Sequence, residues 1–214
     1  MFPWLDPHVI LAATGPWALV VCAVIVFAET GLLIGFFLPG DSLVFLLGML
    51  TGAAQSQNEA LSALPLWLVC LVIAVMAFAG DQTGYSIGRL SLRSERIARS
   101  VQGRLAPHSA KASHFFARFG GPAILLARFI PIIRTFVPFA AGVAGYGRTR
   151  FLFWNGVGAL IWGIGLPVAG HLLGGIPWIA DHVDVILVLI VVLSVLPVAI
   201  RLAVGWLQSR RPAA

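Results

Sequence analysis

The hydrophobic positions of the chain form long runs that short polar segments separate. Three runs are long enough to cross a bilayer, because a transmembrane helix needs about 20 predominantly apolar residues: 64–88, 151–173 and 185–207. The first contains glycines at a spacing of four, which places small side chains on one helix face and favours close packing: Gly80, Gly84 and Gly88. The pattern predicts an all-α integral membrane protein.

Two further apolar segments, 17–52 and 114–147, are broken by proline. The run Gly31–Pro39 resembles Ala123–Pro131, and each segment precedes a span with small and polar residues, Gly80-Asp81 in one and Asn155-Gly156 in the other. Transporters use such broken helices to build a site near the midplane of the membrane. We therefore predict an inverted repeat of two re-entrant broken-helix hairpins, each followed by a transmembrane helix, plus a C-terminal transmembrane helix, in a single domain over residues 1–214.

Composition excludes a soluble protein. Hydrophobic residues make up 59% of the chain and charged residues only 10%, against about 25% charged residues in soluble domains. The net charge of +6 is concentrated, since seven of the fourteen basic residues lie between Arg89 and Arg118. Residues 89–113 contain no Phe, Trp or Tyr that would stack on bases, so nucleic acid is not the expected partner.

The distribution of basic residues predicts the topology. Residues 89–113 read as a basic amphipathic segment on the cytoplasmic face. The loops 51–62 and 171–184 have no basic residue and are expected outside. This arrangement requires the second broken segment to enter and leave on the cytoplasmic side, in a multi-pass membrane protein.

Charged residues lie inside apolar runs, among them Glu29, Asp41, Asp81, Arg128 and Arg134. Each costs about 2.5–3.5 kcal/mol at the bilayer centre unless it is paired. Two hairpin tips from opposite faces would bring the first two acids to the two arginines. Ion pairing that only holds the hairpins together is the alternative, and Asp81 is expected to bind backbone opened at the glycine stripe.

The residue types at the two breaks suit a phosphate and a titrating carboxylate. Asp41 or Ser42 is predicted to cap the returning half-helix of the first hairpin, and Thr135 that of the second. Free N–H groups at helix N-termini bind phosphate, and arginine adds planar, permanently charged donors. We therefore predict a lipid-phosphate site at Arg128, Arg134, Thr135 and Ser42, proton coupling at Glu29 and Asp41, and supporting roles for Asp81, Pro39, Gly40, Pro131 and Asn155.

At these residues the sequence resembles the DedA family of bacterial membrane proteins, within the VTT/SNARE-associated superfamily. The resemblance runs from about residue 17 to 205 and rests on an ordered set of motifs: Phe37-Leu-Pro-Gly-Asp41 after Glu29, Gly80-Asp81-Gln-Thr-Gly-Tyr85-Ser-Ile-Gly-Arg89, Phe116-Ala-Arg118-Phe-Gly120, Arg128-Phe-Ile-Pro131-Ile-Ile-Arg134-Thr135, Pro138-Phe-Ala-Ala-Gly142 and Asn155-Gly-Val-Gly158-Ala-Leu-Ile-Trp162. Leu90-Ser91 and Tyr146 depart from the family pattern.

The resemblance implies two re-entrant hairpins and a role in moving lipids between leaflets. Family members recycle undecaprenyl phosphate, others are assigned phosphatidylethanolamine, and eukaryotic relatives are scramblases. The family's essential acids fall on Glu29 and Asp41, its essential arginines on Arg128 and Arg134, and its dependence on the proton motive force fits the two acids.

We therefore expect a proton-coupled flippase for an anionic lipid, most specifically undecaprenyl phosphate, without a cofactor or enzymatic activity. A glycerophospholipid flippase or scramblase, a membrane enzyme acting on lipid phosphates, and a non-transporting assembly factor are the alternatives. A metal site is conceivable at the outer loop, although a structural role is favoured there: His171, Asp181, His182 and Asp184. The sequence leaves the oligomeric state open, a homo-oligomer included.

Overall fold

The computed structural model describes residues 7–32, 40–51, 63–92, 119–173 and 176, and within these ranges all regular secondary structure is helical. This confirms the all-α prediction for the described part of the chain. The helices are α1 (Pro7–Thr14), α2 (Ala18–Gly31), α3 (Gly40–Leu50), α4 (Leu66–Ser91), α5 (residues 119–127), α6 (Pro131–Val143) and α7 (Arg148–Leu173), with a short 3₁₀ turn, Gly15–Trp17, before α2.

Helices α4 and α7 are the two long apolar helices, each of 26 residues. At 1.5 Å per residue each is about 39 Å long, which exceeds the hydrocarbon thickness of a bilayer. They contain the predicted spans 64–88 and 151–173 almost completely. The predicted span 185–207, the basic segment beyond residue 92 and Pro39 lie outside the described residues.

Large apolar side chains lie on the described surface, and several charged side chains are buried. Large hydrophobic side chains are exposed along both long helices, including Trp67, Leu71 and Val75 on α4 and Leu160 and Ile164 on α7. Most of the buried residues are apolar, but they include seven polar or charged ones: Glu29, Thr30, Asp81, Arg128, Arg134, Thr135 and Asn155. Exposed apolar side chains around buried charges match a chain whose solvent is lipid.

The two predicted broken segments correspond to α2 with α3 and to α5 with α6. Each pair precedes one long helix, so the described chain reads as two units: α2–α3–α4 and α5–α6–α7. The returning helix of each unit packs on the long helix of the other unit, α3 on α7 and α6 on α4, while α4 and α7 contact each other. The two units are therefore interlocked.

Glycines permit this crossed packing. At the α3–α7 contact, Gly48 and Gly170 face the backbone of Pro167 and Phe45, and a Cβ on either glycine would overlap that backbone. The α4–α6 contact has the same arrangement: Gly88 faces Phe139, and Gly142 faces Tyr85.

The predicted glycine stripe of α4 is confirmed. Gly80 lies against Thr30 of α2, a Cβ on Gly84 would lie 3.4 Å from Pro138 Cβ, and Gly88 lies against α6. Small residues let helix backbones approach closely, which is how membrane helices gain packing energy. One face of α4 thus packs against both α2 and α6.

Helix α3 is buried on all sides. Its central residues, Leu43–Leu47, are at most 4% exposed and belong to a cluster that α1, α2, α4 and α7 complete. A helix that is hydrophobic all round is expected in such a position. The first turn of α3 is consequently held deep inside the protein.

The predicted helix caps are wrong. Helix α3 begins at Gly40, so Asp41 and Ser42 lie in its first turn. Helix α6 begins at Pro131, and the Arg134 N–H already donates to Ile130 O at 2.9 Å, which places Thr135 inside the helix. Proline is favoured at the first helical position because its φ angle is preset and its missing N–H would be unpaired there in any case.

Candidate functional site

Arg134 is the centre of a buried triad. From the first turns of α6 it donates through Nη2 to Glu29 Oε1, at the end of α2, and through Nη1 to Asp41 Oδ1, at the start of α3. The sequence predicted that these acids would meet an arginine of the second broken segment. Because the acids and the arginine belong to different units, the triad joins the two units.

Gly40 makes room for Glu29. A Cβ at position 40 would overlap Glu29 Oε2, so any other residue there displaces the carboxylate. Glu29 and Asp41 thus lie at the N-terminal end of α3, where the helix dipole favours negative charge. The helix terminus that the sequence assigned to phosphate is occupied here by the protein's own carboxylates.

Arg128 does not join the acids of the first broken segment. It donates through Nη2 to Asp81 Oδ2 on α4 and to Ala77 O at 3.3 Å. The predictions that Arg128 meets Glu29 or Asp41, and that Asp81 binds opened backbone, are both wrong. The chain bends between α5 and α6, so Arg128 faces the middle of α4 while Arg134 faces the ends of α2 and α3.

The other predicted site residues lie around this cluster. Thr135 is buried beside Arg134 in sequence, Ser42 is half-buried in the first turn of α3, and Asn155 of α7 donates to Phe78 O of α4 at 3.3 Å. Pro131 is the first residue of α6. Their assigned roles in binding lipid stay predictions.

The two acids of the triad differ in access. The side chain of Asp41 is 25% exposed, against 7% for Glu29 and 4% for Arg134. An incoming proton or headgroup would therefore reach Asp41 first.

Both arginines retain unused donors. Arg134 Nε and Arg128 Nη1 are buried and find no hydrogen-bond partner among the described residues. Buried polar groups are normally satisfied, so each arginine has one donor left for a further acceptor.

Sequence reasoning missed two residues. Gln82 is the residue after Asp81 and has both side-chain polar atoms buried without a partner in the described structure. Trp162 of α7 stacks on Arg134, with Cζ 5.0 Å from the ring centroid. A glutamine or tryptophan in a span carries no charge, so neither has the cost that made the five charged residues conspicuous.

The charged cluster has an excess of acid. Three carboxylates and two guanidiniums give a formal charge of −1 when all five ionise, since −3 + 2 = −1. The Arg128–Asp81 pair is neutral, so the excess belongs to the triad. An uncompensated charge in a low-dielectric interior is costly and attracts a proton or another cation.

The predicted alternative metal site is only partly described. His171 Nδ1 lies 3.1 Å from Thr51 Oγ1, which joins the ends of α7 and α3. Asp181, His182 and Asp184 lie outside the described residues. Among the described residues, no group of three or more His, Cys, Asp or Glu side chains is placed to hold a metal ion.

The chain is similar to known membrane proteins over most of its length. Residues 38–172 match the VTT domain. The chain is 35% identical over 202 residues to Protein DedA of Escherichia coli (strain K12), which covers 92% of this chain and 89% of that protein. It is 38% identical over 203 residues to an uncharacterized membrane protein of Mycobacterium tuberculosis (93% and 86% covered) and 34% identical over 188 residues to the inner membrane protein YqjA of Escherichia coli (strain K12; 86% and 81% covered).

No solved structure matches the chain. Four of the five charged residues of the cluster fall within the matched VTT domain, and Glu29 precedes it. Together with the apolar exterior and the two long apolar helices, these similarities show that the chain belongs to the VTT-domain family and is a membrane protein of the DedA family.

Proposed function

We propose that this protein is a proton-coupled flippase that moves an anionic lipid, most specifically undecaprenyl phosphate, across the bacterial inner membrane. The observation that carries the proposal is the buried triad, in which one arginine is held by two carboxylates inside a protein with an apolar surface. A charged site of this kind inside a membrane protein is typical of a substrate or ion pathway.

Carboxylate and phosphate compete for the same donors in this mechanism. The two Nη groups of Arg134 are occupied by Asp41 and Glu29. A lipid phosphate would need the same planar pair of donors, and the negative triad would repel it. Protonation of either acid removes the excess charge and frees one donor, so the proton and the anion bind together.

Movement of one unit against the other would then expose the site to opposite faces. Both sets of ion pairs cross the boundary between the units, because Glu29, Asp41 and Asp81 lie in the first unit and both arginines in the second. The crossed packing of α3 on α7 and of α6 on α4 supports an inverted repeat of two re-entrant hairpins. Protonation and anion binding would weaken the ion pairs that hold the units together.

A zwitterionic lipid such as phosphatidylethanolamine is the second candidate, and the excess carboxylate favours it. Its ammonium group would neutralise the triad while its phosphate binds the spare donors of Arg128 or Arg134. In that case no proton is required. The two lipids are therefore distinguishable by their pH dependence.

We also propose that the protein is not an enzyme. The described site consists of carboxylates, guanidiniums, amides and hydroxyls, and His171 is engaged with Thr51 at the ends of α7 and α3. Hydrolysis of a phosphate ester would need an activated nucleophile or a metal-bound water beside the arginines.

The proposal is tested with purified protein in liposomes that carry labelled undecaprenyl phosphate, with and without a pH gradient. Arg134→Ala should slow exchange between leaflets on the order of 100-fold, which corresponds to about 3 kcal/mol from lost charge-assisted hydrogen bonds. Arg150→Ala, at an exposed site near the start of α7, is the matched control and should leave exchange unchanged. Normal exchange by a folded Arg134→Ala protein contradicts the phosphate role, and conversion of the lipid to a new product would make the protein an enzyme.

A further inference from the structure

Trp162 contacts the face of the guanidinium whose edge binds the two acids. It lies on α7, is 7% exposed and belongs to the apolar cluster around α3. Arg134 Cζ lies 5.0 Å from the centroid of its ring, within the range of a cation–π interaction. The edge contacts come from α2 and α3, so the guanidinium is held from two directions.

We propose that Trp162 is a positioning residue that keeps Arg134 in the site while its carboxylate partners are protonated. The inference rests on the proposed function, in which a carboxylate of the triad takes up a proton as the lipid anion binds.

The two kinds of contact respond differently to protonation. The ion pairs with Glu29 and Asp41 weaken when either acid becomes neutral, whereas arginine keeps its charge at any physiological pH. The indole ring does not titrate, so its attraction for the cation is the same in both protonation states. The ring therefore contributes a larger share of the attraction that holds the guanidinium at acidic pH than at alkaline pH.

The surrounding charges make such a contact necessary. Among the described residues, four charged groups and one ring surround Arg134. They are Glu29 of α2, Asp41 of α3, Asp81 of α4, Arg128 immediately after α5 and Trp162 of α7. When one acid of the triad is neutral, the negative charge that holds Arg134 is reduced, while the repulsion between Arg134 and Arg128 is unchanged. Attraction by the ring opposes the displacement of Arg134 from the site.

The ring also restricts where the guanidinium can lie. The two Nη groups donate to the Glu29 and Asp41 carboxylates, and the ring, 5.0 Å from Cζ, limits movement of the guanidinium away from them. An anion that replaces a carboxylate would meet both Nη groups in the plane that bidentate binding requires. Loss of the ring would therefore weaken lipid binding, seen as a higher KM, more than it would slow lipid movement at saturating lipid, seen as kcat.

The first test is transport of labelled undecaprenyl phosphate in liposomes by Trp162→Leu, Trp162→Phe and Trp154→Leu across acidic to alkaline pH. Trp154 is a control on the same helix, packed against Gly121 and edge-on to Phe153.

We expect Trp162→Leu to raise KM about tenfold at acidic pH, which corresponds to about 1.4 kcal/mol, with a smaller effect at alkaline pH and kcat little changed. Trp162→Phe should recover most of the loss, because it retains an aromatic face. An equal defect at all pH values, or no rescue by phenylalanine, overturns the inference.

The second test needs no lipid and separates this inference from the proposed function. Unfolding in detergent should show that Trp162→Leu loses more stability at acidic than at alkaline pH, whereas Trp154→Leu loses the same at both. If this difference is found and the wild type moves no lipid, the proposed function fails and the positioning role stands. If Trp162→Leu loses the same stability at both pH values, Trp162 is a packing residue and the inference fails. Should Trp162→Leu not fold, Trp162→Met carries both tests, because methionine also removes the aromatic face while it keeps a long apolar side chain.

Discussion

Arg128 and Arg134 are close in sequence but lie in different electrostatic surroundings. Arg128 meets one carboxylate, Asp81, and a backbone carbonyl of α4, so its surroundings are neutral. Arg134 meets two carboxylates and an indole face. We therefore propose that the anion binds at Arg134 and the proton at its two carboxylate partners, and expect Arg128 to hold the second unit against α4.

Removing Asp81 should strongly destabilise the protein. Asp81→Leu leaves Arg128 as an uncompensated buried charge, which costs about 3–5 kcal/mol, whereas Asp81→Leu combined with Arg128→Met removes both charges and should recover most of that loss. Unfolding of the purified variants in mixed detergent micelles measures both effects. Arg148→Met, at an exposed position, is the control for loss of one arginine. A double variant whose loss equals the sum of the single losses would show that the pair is not coupled.

The site residues were predictable to the extent that they are charged. Charges in apolar runs are costly, so Glu29, Asp41, Asp81, Arg128 and Arg134 could be identified without a structure. The pairing of Glu29 and Asp41 with an arginine was also predictable, whereas the pairing of Arg128 with Asp81 was not, because it depends on which turn of α4 faces the end of α5. Trp162 is an ordinary residue for a membrane span, and its role becomes visible only when α7 is placed beside Arg134.

The helices owe their arrangement to small residues and prolines. Helix α6 begins at Pro131, and Pro138 within it cannot donate a hydrogen bond to Arg134 O. The helix is therefore weakened immediately after the residue that binds the acids. Glycines of α4 and α6 compensate by letting the two backbones touch.

Gly88→Ala should destabilise the contact between α4 and α6. A Cβ at this position would overlap Phe139 O, so the helices must separate, at a cost of about 1–3 kcal/mol. Gly165→Ala in α7 is the matched control, because a Cβ there has no described atom within 4 Å and should stabilise the helix by about 0.5–1 kcal/mol. Thermal unfolding in detergent compares the two. Equal stability of both variants would mean that the close approach is not needed.

The long helices were easier to predict than the short ones. The two spans follow from the length and apolar character of their sequences, and α4 and α7 extend the predicted ranges by three residues or fewer. The cap predictions placed the starts of α3 and α6 too late in the chain, at Asp41 or Ser42 and at Thr135. The helices begin at Gly40 and Pro131. Proline at a break both ends one helix and begins the next, and the sequence does not say which effect dominates.

At the scale of the whole molecule, an apolar exterior surrounds a cluster with one excess negative charge. The acids come from one unit and the arginines from the other, so the ion pairs bridge the boundary across which the units are interlocked. The central claim that follows is that the lipid anion and a proton bind together at Arg134.

The most direct test is proton uptake when undecaprenyl phosphate binds to the purified protein, measured by titration calorimetry in buffers of different ionisation enthalpy. The titration is done at a pH well above the second phosphate pKa of about 6, so that the lipid itself is fully ionised before binding. We predict uptake of about one proton per bound lipid, because the triad must lose its excess charge to accept the anion. Glu29→Gln should bind the lipid with less uptake. Binding without any proton uptake by the wild type would contradict the account.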